Sequence, residues 1–314
     1  MRTTALEVPA GGAAADAAAA SGVAVRPCLL CGEAPRLQFQ RYGYPIVACP
    51  RCGLTYCAHT PTEPELVAFY SEGYFKGEPD RRGYHDYEAD ERLIKAGFDP
   101  KLEAVERCAP RRGVLLDVGC AWGYFMELAR ARGWRAYGID ASACAVSAAR
   151  RRGLDVIHGT SLAGFRAGSF DAVTMWDVLE HLPDPLEALR HVWRVLTPGG
   201  VLGLSTGRID SALARIQGRR SRIFNPPQHL FFFGRTTLEA CLAAAGFRVC
   251  ALLRDHKVVS LRYILHLHAS LYPRSPLCGV LRRLMQVRFN PAIPVPIPDN
   301  MVVLARKDPA GAHP

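Results

Sequence analysis

Four cysteines in two tight pairs offer the most specific chemistry in the chain: Cys28-x2-Cys31 and, seventeen residues on, Cys49-x2-Cys52. A Cys-x-x-Cys-Gly turn aims two sulfurs at one point. Gly32 and Gly53 follow the pairs, where the backbone can take φ > 0 at little cost. Four thiolates fill the tetrahedral shell of Zn2+ and leave no position for a substrate, so Cys28, Cys31, Cys49 and Cys52 predict a structural metal. A redox Cys-x-x-Cys would want a helix after its first cysteine inside a βαβ unit, and this sequence suggests neither. Cys57 and His59 stand nearby and read as bystanders, because four ligands already complete the shell.

A second constellation surrounds a glycine turn. RGVLLDVGCAWGYFMELARARGWRAYGID runs as strand, Gly-rich turn, amphipathic helix and strand, and Asp140 follows Gly119 by 21 residues. Glycines let a backbone approach a nucleoside ligand closely, and an acid closing the second strand accepts hydrogen bonds from ribose hydroxyls. Asp117 stands just before the glycines. A carboxylate there repels a pyrophosphate and attracts a ligand carrying an ammonium and a sulfonium. That sign favours S-adenosylmethionine over a nicotinamide dinucleotide.

A third group is the Asp177, Glu180 and His181 cluster in SFDAVTMWDVLEHLPDP, with His229 downstream in NPPQHL. Methyl transfer from a sulfonium is an in-line displacement, in which alignment alone is worth ~7–11 kcal/mol. A hydroxyl acceptor gains further from a base, typically ~10²–10⁴-fold. His181 and His229 are the two candidates for that base. The alternative for His181 is a scaffold hydrogen bond, and Trp122 and Trp176 read as pocket wall or core.

These residues need a sheet to carry them. Further strands read at LDVIHG (154–159), Ala172–Trp176, VLGLSTG, FRVCALLRD (247–255) and MVVLARK (301–307). PLEALRHVWRVL reads as an amphipathic helix stopped by Thr197-Pro198-Gly199-Gly200.

In LDVGCAWGYF, GID, SFDAVTMWDVLEHLPDP, RVLTPGG and PPQHLFFFGRTTLEACLAAAGF the chain resembles a class I methyltransferase of the group that includes the ubiquinone-biosynthesis O-methyltransferases, with an N-terminal zinc ribbon added. The resemblance spans roughly residues 26–308. It implies an α/β, Rossmann-like sheet of seven strands in the order 3-2-1-4-5-7-6, strand seven antiparallel. It also implies that Asp117, Gly119, Cys120, Ala121 and Gly123 line the methionine end of S-adenosylmethionine. Asp140 would meet the ribose, Ala141 the adenine, and Asp177 the cofactor or substrate. Two departures stand out: Ala121 replaces the middle glycine, and Thr160 occupies the place of an acid that often meets the adenine amino group.

The expected organisation is a tail at 1–25, the ribbon at 26–60, a helical linker or lid at 61–110 and the methyltransferase domain at 111–308, with a tail at 309–314. Within the linker, helices are expected at 63–71 and 86–108, and Tyr70, Tyr74, Phe75, Tyr84 and Tyr87 would pack the ribbon or form the lid. The segment 256–298, inserted before the last strand, predicts a pair of helices over the substrate end, or a basic amphipathic surface for peripheral membrane contact.

An apolar content of 49% and a charged content of 22% fit a soluble globular chain, and neither a spanning segment nor a signal peptide is evident. A cytoplasmic location follows as an expectation. The net charge of +10 comes from arginines scattered in pairs, which does not make a nucleic-acid face. The acceptor is therefore expected to be a small molecule, most simply a hydroxyl of a sugar, lipid or secondary metabolite. An RNA-modifying enzyme using ribbon and arginines, and a non-catalytic partner subunit that keeps the fold, are the alternatives. Oligomeric state has no signature in the sequence.

Overall fold

The computed structural model describes residues 25–59, 90–260 and 291–308. The helix expected at 63–71, the aromatic cluster from Tyr70 to Tyr87, and residues 261–290 lie outside the described residues.

The front of the chain folds as the cysteine spacing demands. A hairpin of β1 (Arg36–Arg41) and β2 (Tyr44–Ala48) turns through Tyr42 and Gly43, both at positive φ, and brings the second Cys pair to the first. Strand β3 (Thr55–Cys57) then pairs antiparallel with β2.

The main sheet begins with β4 (Val114–Val118), β5 (Arg135–Asp140), β6 (Asp155–His158), β7 (Phe170–Trp176) and β8 (Leu196–Gly207), all parallel in their mutual pairings. All seven residues of β7 are buried, as expected of a central parallel strand covered on both faces. After the short β9 (Phe231–Phe232) come β10 (Phe247–Ser260) and β11 (Ala292–Lys307), which is antiparallel to both β10 and β8. Counting only the strands of this sheet along the chain, the order is 3-2-1-4-5-7-6, as expected.

Helices cover both faces: α1 (Glu91–Cys108), α2 (Tyr124–Ala131), α3 (Ala143–Arg151), α4 (Pro185–Val195), α5 (Ala212–Gln217) and α6 (Arg235–Ala244). Helix α1 ends at Cys108 as expected, and residues 86–89 of the expected helix lie outside the described residues. Their starts are written in the sequence. Asp184 accepts from the Glu187 N–H at 2.8 Å with Pro185 in the first turn, and Ser142 caps α3. Successive strand residues face opposite layers, so Leu115 packs with α1 and α2 while Leu116 packs with α4 and α6.

The flanks of 256–298, expected to be helical, are strand instead. Only Asn300–Arg306 of β11 pairs with β8, while Ala292–Ile297 pairs with β10 alone, from Asp255 to Ser260. A two-stranded arm thus continues beyond the sheet. Its outer strand carries Pro294, Pro296 and Pro298 at alternate, exposed positions. Val258 and Val259 are β-branched, and prolines at alternate sites fit an edge strand, never a helix interior. Where the arm leaves the sheet, the register slips between Arg254 and Asp255, and Pro298–Asn300 bulges out.

Among the described residues no helix is long and apolar enough to cross a membrane.

Candidate active site

The glycine turn follows β4 directly. Gly119 (φ 71°), Ala121 (φ 47°) and Gly123 (φ 80°) all lie in the left-handed region. A side chain at Gly119 would place its Cβ 2.5 Å from Val178 Cγ2, and one at Gly123 would strike Leu154 Cδ1 at 2.1 Å. Both positions admit only glycine, whereas Ala121 accepts mild strain. Asp140 closes β5 with both carboxylate oxygens beneath this turn, Oδ2 accepting from the Ala121 N–H and Oδ1 from the Ser142 N–H, each at 2.8 Å. Ala141 offers its carbonyl to His158 Nε2 at 3.0 Å, and Thr160 is exposed on the loop after β6. Cys120 is buried, its sulfur pressed toward Gly138.

Asp117 sits under the turn with its carboxyl fully enclosed. The Thr174 hydroxyl donates to Oδ1 at 2.6 Å. Burial pushes this carboxyl up to about 7 against that bond, and the neighbouring Asp140 charge adds to the rise. A buried acid with no cation beside it among the described residues, under a turn held by Gly119 and Gly123, fits a ligand bearing positive charge. The residues present therefore suit S-adenosylmethionine.

Asp177, at the end of β7, stands at φ 53° and turns into a polar network. Its N–H donates to the Ser205 carbonyl and its Oδ1 accepts from Ser205 Oγ at 2.7 Å and from Asn300 Nδ2 at 3.3 Å. Asn300 also donates to Asp255 Oδ2 at 2.6 Å, and Asp255 pairs with Lys101 Nζ at 3.0 Å. Burial acts to raise the Asp177 carboxyl. Lys101 and Lys257, with the Ser205 and Asn300 bonds, outweigh it and hold the group well below the usual carboxylate range.

The two sequence-predicted histidines come together. The rings of His181 and His229 meet edge to face, centroids 4.8 Å apart. His181 lies on a short 3-10 turn, Leu179–His181, immediately after Val178, the residue that packs on Gly119. Nδ1 of His181 faces the Gln228 carbonyl at 2.9 Å, and Nδ1 of His229 faces the Ile223 carbonyl at 2.8 Å. A carbonyl can only accept, so the neutral His229 ring carries its proton on Nδ1 and its lone pair on Nε2, while the His181 ring is held by the Asp177 backbone as well as by Gln228. Burial lowers both rings; His229, beside His181, falls to about 4. Glu180 joins them, and one ligand atom from each of Glu180, His181 and His229 lies within 4.8 Å of the others. Its Oε2 is buried without a hydrogen-bond partner among the described residues, and burial with the Asp177 charge pushes the carboxyl up to about 7.

The four ribbon sulfurs also converge within 4.8 Å of one another, Cys28 to Cys52 at 3.4 Å and Cys31 to Cys49 at 3.3 Å. Four sulfurs at ~2.3 Å from one ion would stand ~3.8 Å apart, so little movement separates these thiols from a zinc shell. Gly32 and Gly53 close the two knuckles by donating to the Cys28 and Cys49 carbonyls. Cys57 is buried in β3, apart from the cluster.

A family model described as a methyltransferase domain matches residues 88–252. The chain belongs to the methyltransferase domain family. The ubiquinone biosynthesis O-methyltransferase of Hahella chejuensis is 32% identical over 188 residues, which are 51% of this chain and 78% of that protein. That of Xanthomonas oryzae pv. oryzae is 41% identical over 109 residues, 32% of this chain, and the match spans about half of that relative (46%). A solved 1,6-didemethyltoxoflavin-N1-methyltransferase from Burkholderia thailandensis is 17% identical, covering 87% of this chain and 99% of that one, with a TM-score of 0.49.

In this methyltransferase-family chain, three network residues escaped the sequence reading. Lys101, Asp255 and Asn300 come from α1, β10 and β11, and no local spacing links them. A lysine next to Leu102 on the buried face of α1 is the one signal that pointed inward.

Proposed function

We propose that this protein moves a methyl group from S-adenosylmethionine to a hydroxyl of a small-molecule acceptor, such as a sugar, a lipid or a secondary metabolite. The observation that carries this reading is the seating of Val178 on Gly119. It sets the glycine cradle, with Asp117 buried and Asp140 half-buried beneath it, beside the turn that carries the Glu180–His181–His229 cluster. The relatives' name, O-methyltransferase, supports a hydroxyl acceptor.

Bound in the cradle, S-adenosylmethionine supplies both the electrophilic methyl and its own leaving group. The backbone of Gly119, Cys120, Ala121 and Gly123 would let the methionine end approach, with Asp117 answering its positive charge. Asp140 and Ala141 would take the ribose and adenine, and Thr160 would stand at the far rim. Asp177, fixed by its network, would hold the floor between cofactor and acceptor. Zinc on Cys28, Cys31, Cys49 and Cys52 would be structural.

His181 and His229 admit two roles. Nε2 of His229, or the His181 ring once it gives up its bond to the Asp177 backbone, could take the acceptor's proton. A divalent cation held by Glu180, His181 and His229 is the second reading. It is favoured by the two Nδ1 atoms facing carbonyls and by the partnerless buried carboxylate oxygen, the arrangement that orients metal-binding imidazoles. Ligands on one ion at ~2.1 Å stand ~3–3.5 Å apart, so the three would draw in by about an ångström. Such a cation would supply charge stabilisation for the ionising hydroxyl.

Calorimetric titration with S-adenosylmethionine and S-adenosylhomocysteine tests the framework. Binding of both, weakened at least ~10-fold by Asp140→Ala, is expected. Failure of zinc-replete, folded protein to bind either would end the methyl-transfer reading. Titration of Mn2+ into wild type, His181→Ala and His229→Ala separates the two roles, since only a ligand set loses Mn2+ with either substitution.

A further inference from the structure

Leu230 ties the ribbon to the candidate site. Its N–H donates to the Glu180 carbonyl at 2.8 Å, and its own carbonyl accepts the Cys57 N–H at 2.8 Å. One residue thus spans from the ribbon strand β3 to the turn that carries Glu180 and His181, and it directly follows His229. Two residues before it, Gln228 offers the carbonyl that orients the His181 ring.

The contact continues on both sides of Leu230. β9 has only two residues, and among the described residues β3 is its sole paired strand, through Thr55↔Phe232 and Tyr56↔Phe231. Tyr56 stacks on Phe231 with centroids 5.8 Å apart, and the Arg26 guanidinium covers the same ring at 4.9 Å. The Tyr56 hydroxyl donates to the Arg26 carbonyl, fastening the chain just ahead of Cys28. Phe39 of the hairpin meets Phe224 edge-on at 4.9 Å, upstream of His229 on the same loop. A two-residue strand has too few bonds to hold itself, so its template decides whether it forms. That template is a three-stranded module with a small core, the kind of unit whose fold depends on its metal.

We infer that the metal-held ribbon positions His229 and His181 through Leu230, so that the four-thiol cluster and the Glu180–His181–His229 site are thermodynamically coupled. Coupling of this kind is reciprocal. Zinc loss loosens the His229 loop, and a looser loop releases zinc sooner. The cofactor cradle meets this linkage only where Val178 rests on Gly119, and its strands β4 and β5 are expected to keep their own protection.

Hydrogen exchange read by mass spectrometry on the full chain tests it, comparing wild type with Cys31→Ser. In the variant, peptides over 225–233 should exchange at least ~10-fold faster while 114–118 and 135–140 keep wild-type protection and S-adenosylhomocysteine affinity changes by less than ~2-fold. Unchanged exchange at 225–233 beside a deprotected ribbon would overturn the inference. Should Cys31→Ser lose protection everywhere, Phe231→Ala, with all four thiols intact, takes its place. Zinc release to a chromogenic chelator should then speed at least ~3-fold, and an unchanged release rate refutes the coupling. A ~10-fold loss of turnover in either variant rests on the methyl-transfer reading, whereas exchange and zinc release do not. Coupled exchange in a protein without transferase activity would sink that reading alone.

Discussion

The carboxyl of Asp117, sealed beneath the glycine turn, keeps its proton to about pH 7, whereas an unfolded aspartate loses it near 3.8. A folded pKa raised above the unfolded one contributes stability that is present below ~3.8 and is lost as pH rises through ~7. Asp117→Asn should therefore stabilise the protein at pH 8, by on the order of 1–3 kcal/mol, and raise Tm by several degrees. The Thr174 hydroxyl keeps an acceptor in that variant. The same substitution should weaken S-adenosylmethionine binding at least ~10-fold, and wild-type affinity should grow between pH 6 and 8 as the carboxylate forms. Scanning fluorimetry and calorimetry at both pH values check this, and a lower Tm for Asp117→Asn at pH 8 would contradict the burial account. At Gly119, a methyl group meets both φ 71° and Val178 Cγ2, so Gly119→Ala should cost about 1–3 kcal/mol in denaturant unfolding. Spacing made Asp117, Gly119, Asp140 and the cysteines legible, because each serves a local geometry. That His181 and His229 touch was not legible, because 47 intervening residues fold back through Gln228.

At the scale of elements, α1 does more than cover the sheet. It drives Lys101 into the junction of β10 and β11, against a fully buried Asp255, beside Trp176. Lys101→Met would leave the buried Asp255 with its Asn300 bond but without its ion-pair partner, and should destabilise the fold by about 3–5 kcal/mol, as removal of one buried partner does. Lys101→Met with Asp255→Asn should recover much of that loss, and urea unfolding of the three variants decides it. If the single substitution were neutral, the pair would have no role in joining α1 to the sheet. The strands were readable from apolar runs closed by Gly and Asp, and α4 from its Asp-Pro start. The flanks of 256–298 were misread because basic residues among aliphatics suit either period over five or six residues. The alternate prolines of IPVPIP carried the deciding signal, since they exclude a helix and tolerate an edge.

Across the whole molecule, a single apolar cluster runs from the ribbon's Val47, Leu54 and Tyr56 through Phe231 and Phe233 into the α4 and α6 layer. Ribbon and sheet share a core, a relation that the cysteine spacing, which speaks only of its own ion, did not reveal. A chain starting at residue 90 should expose Phe231 and Phe232, lose soluble yield, and bind a hydrophobic dye. Full solubility with a native melting curve would show that the two units stand apart.

The arm of β10 and β11 rests on α1, where Gly97 lies against His256–Val258, and the flank that no strand pairs with among the described residues has a particular chemistry. In a strand, alternate residues send their N–H groups to the same flank, and Pro294, Pro296 and Pro298 have none. The flank away from β10 is thus a row of carbonyls without donors, unable to complete a ladder with a strand from another molecule. Six residues of two-stranded arm, at ~3.3 Å each, can run some 20 Å along α1 without inviting fibrils. Three ring closures insulate the arm the way a sheath insulates a wire.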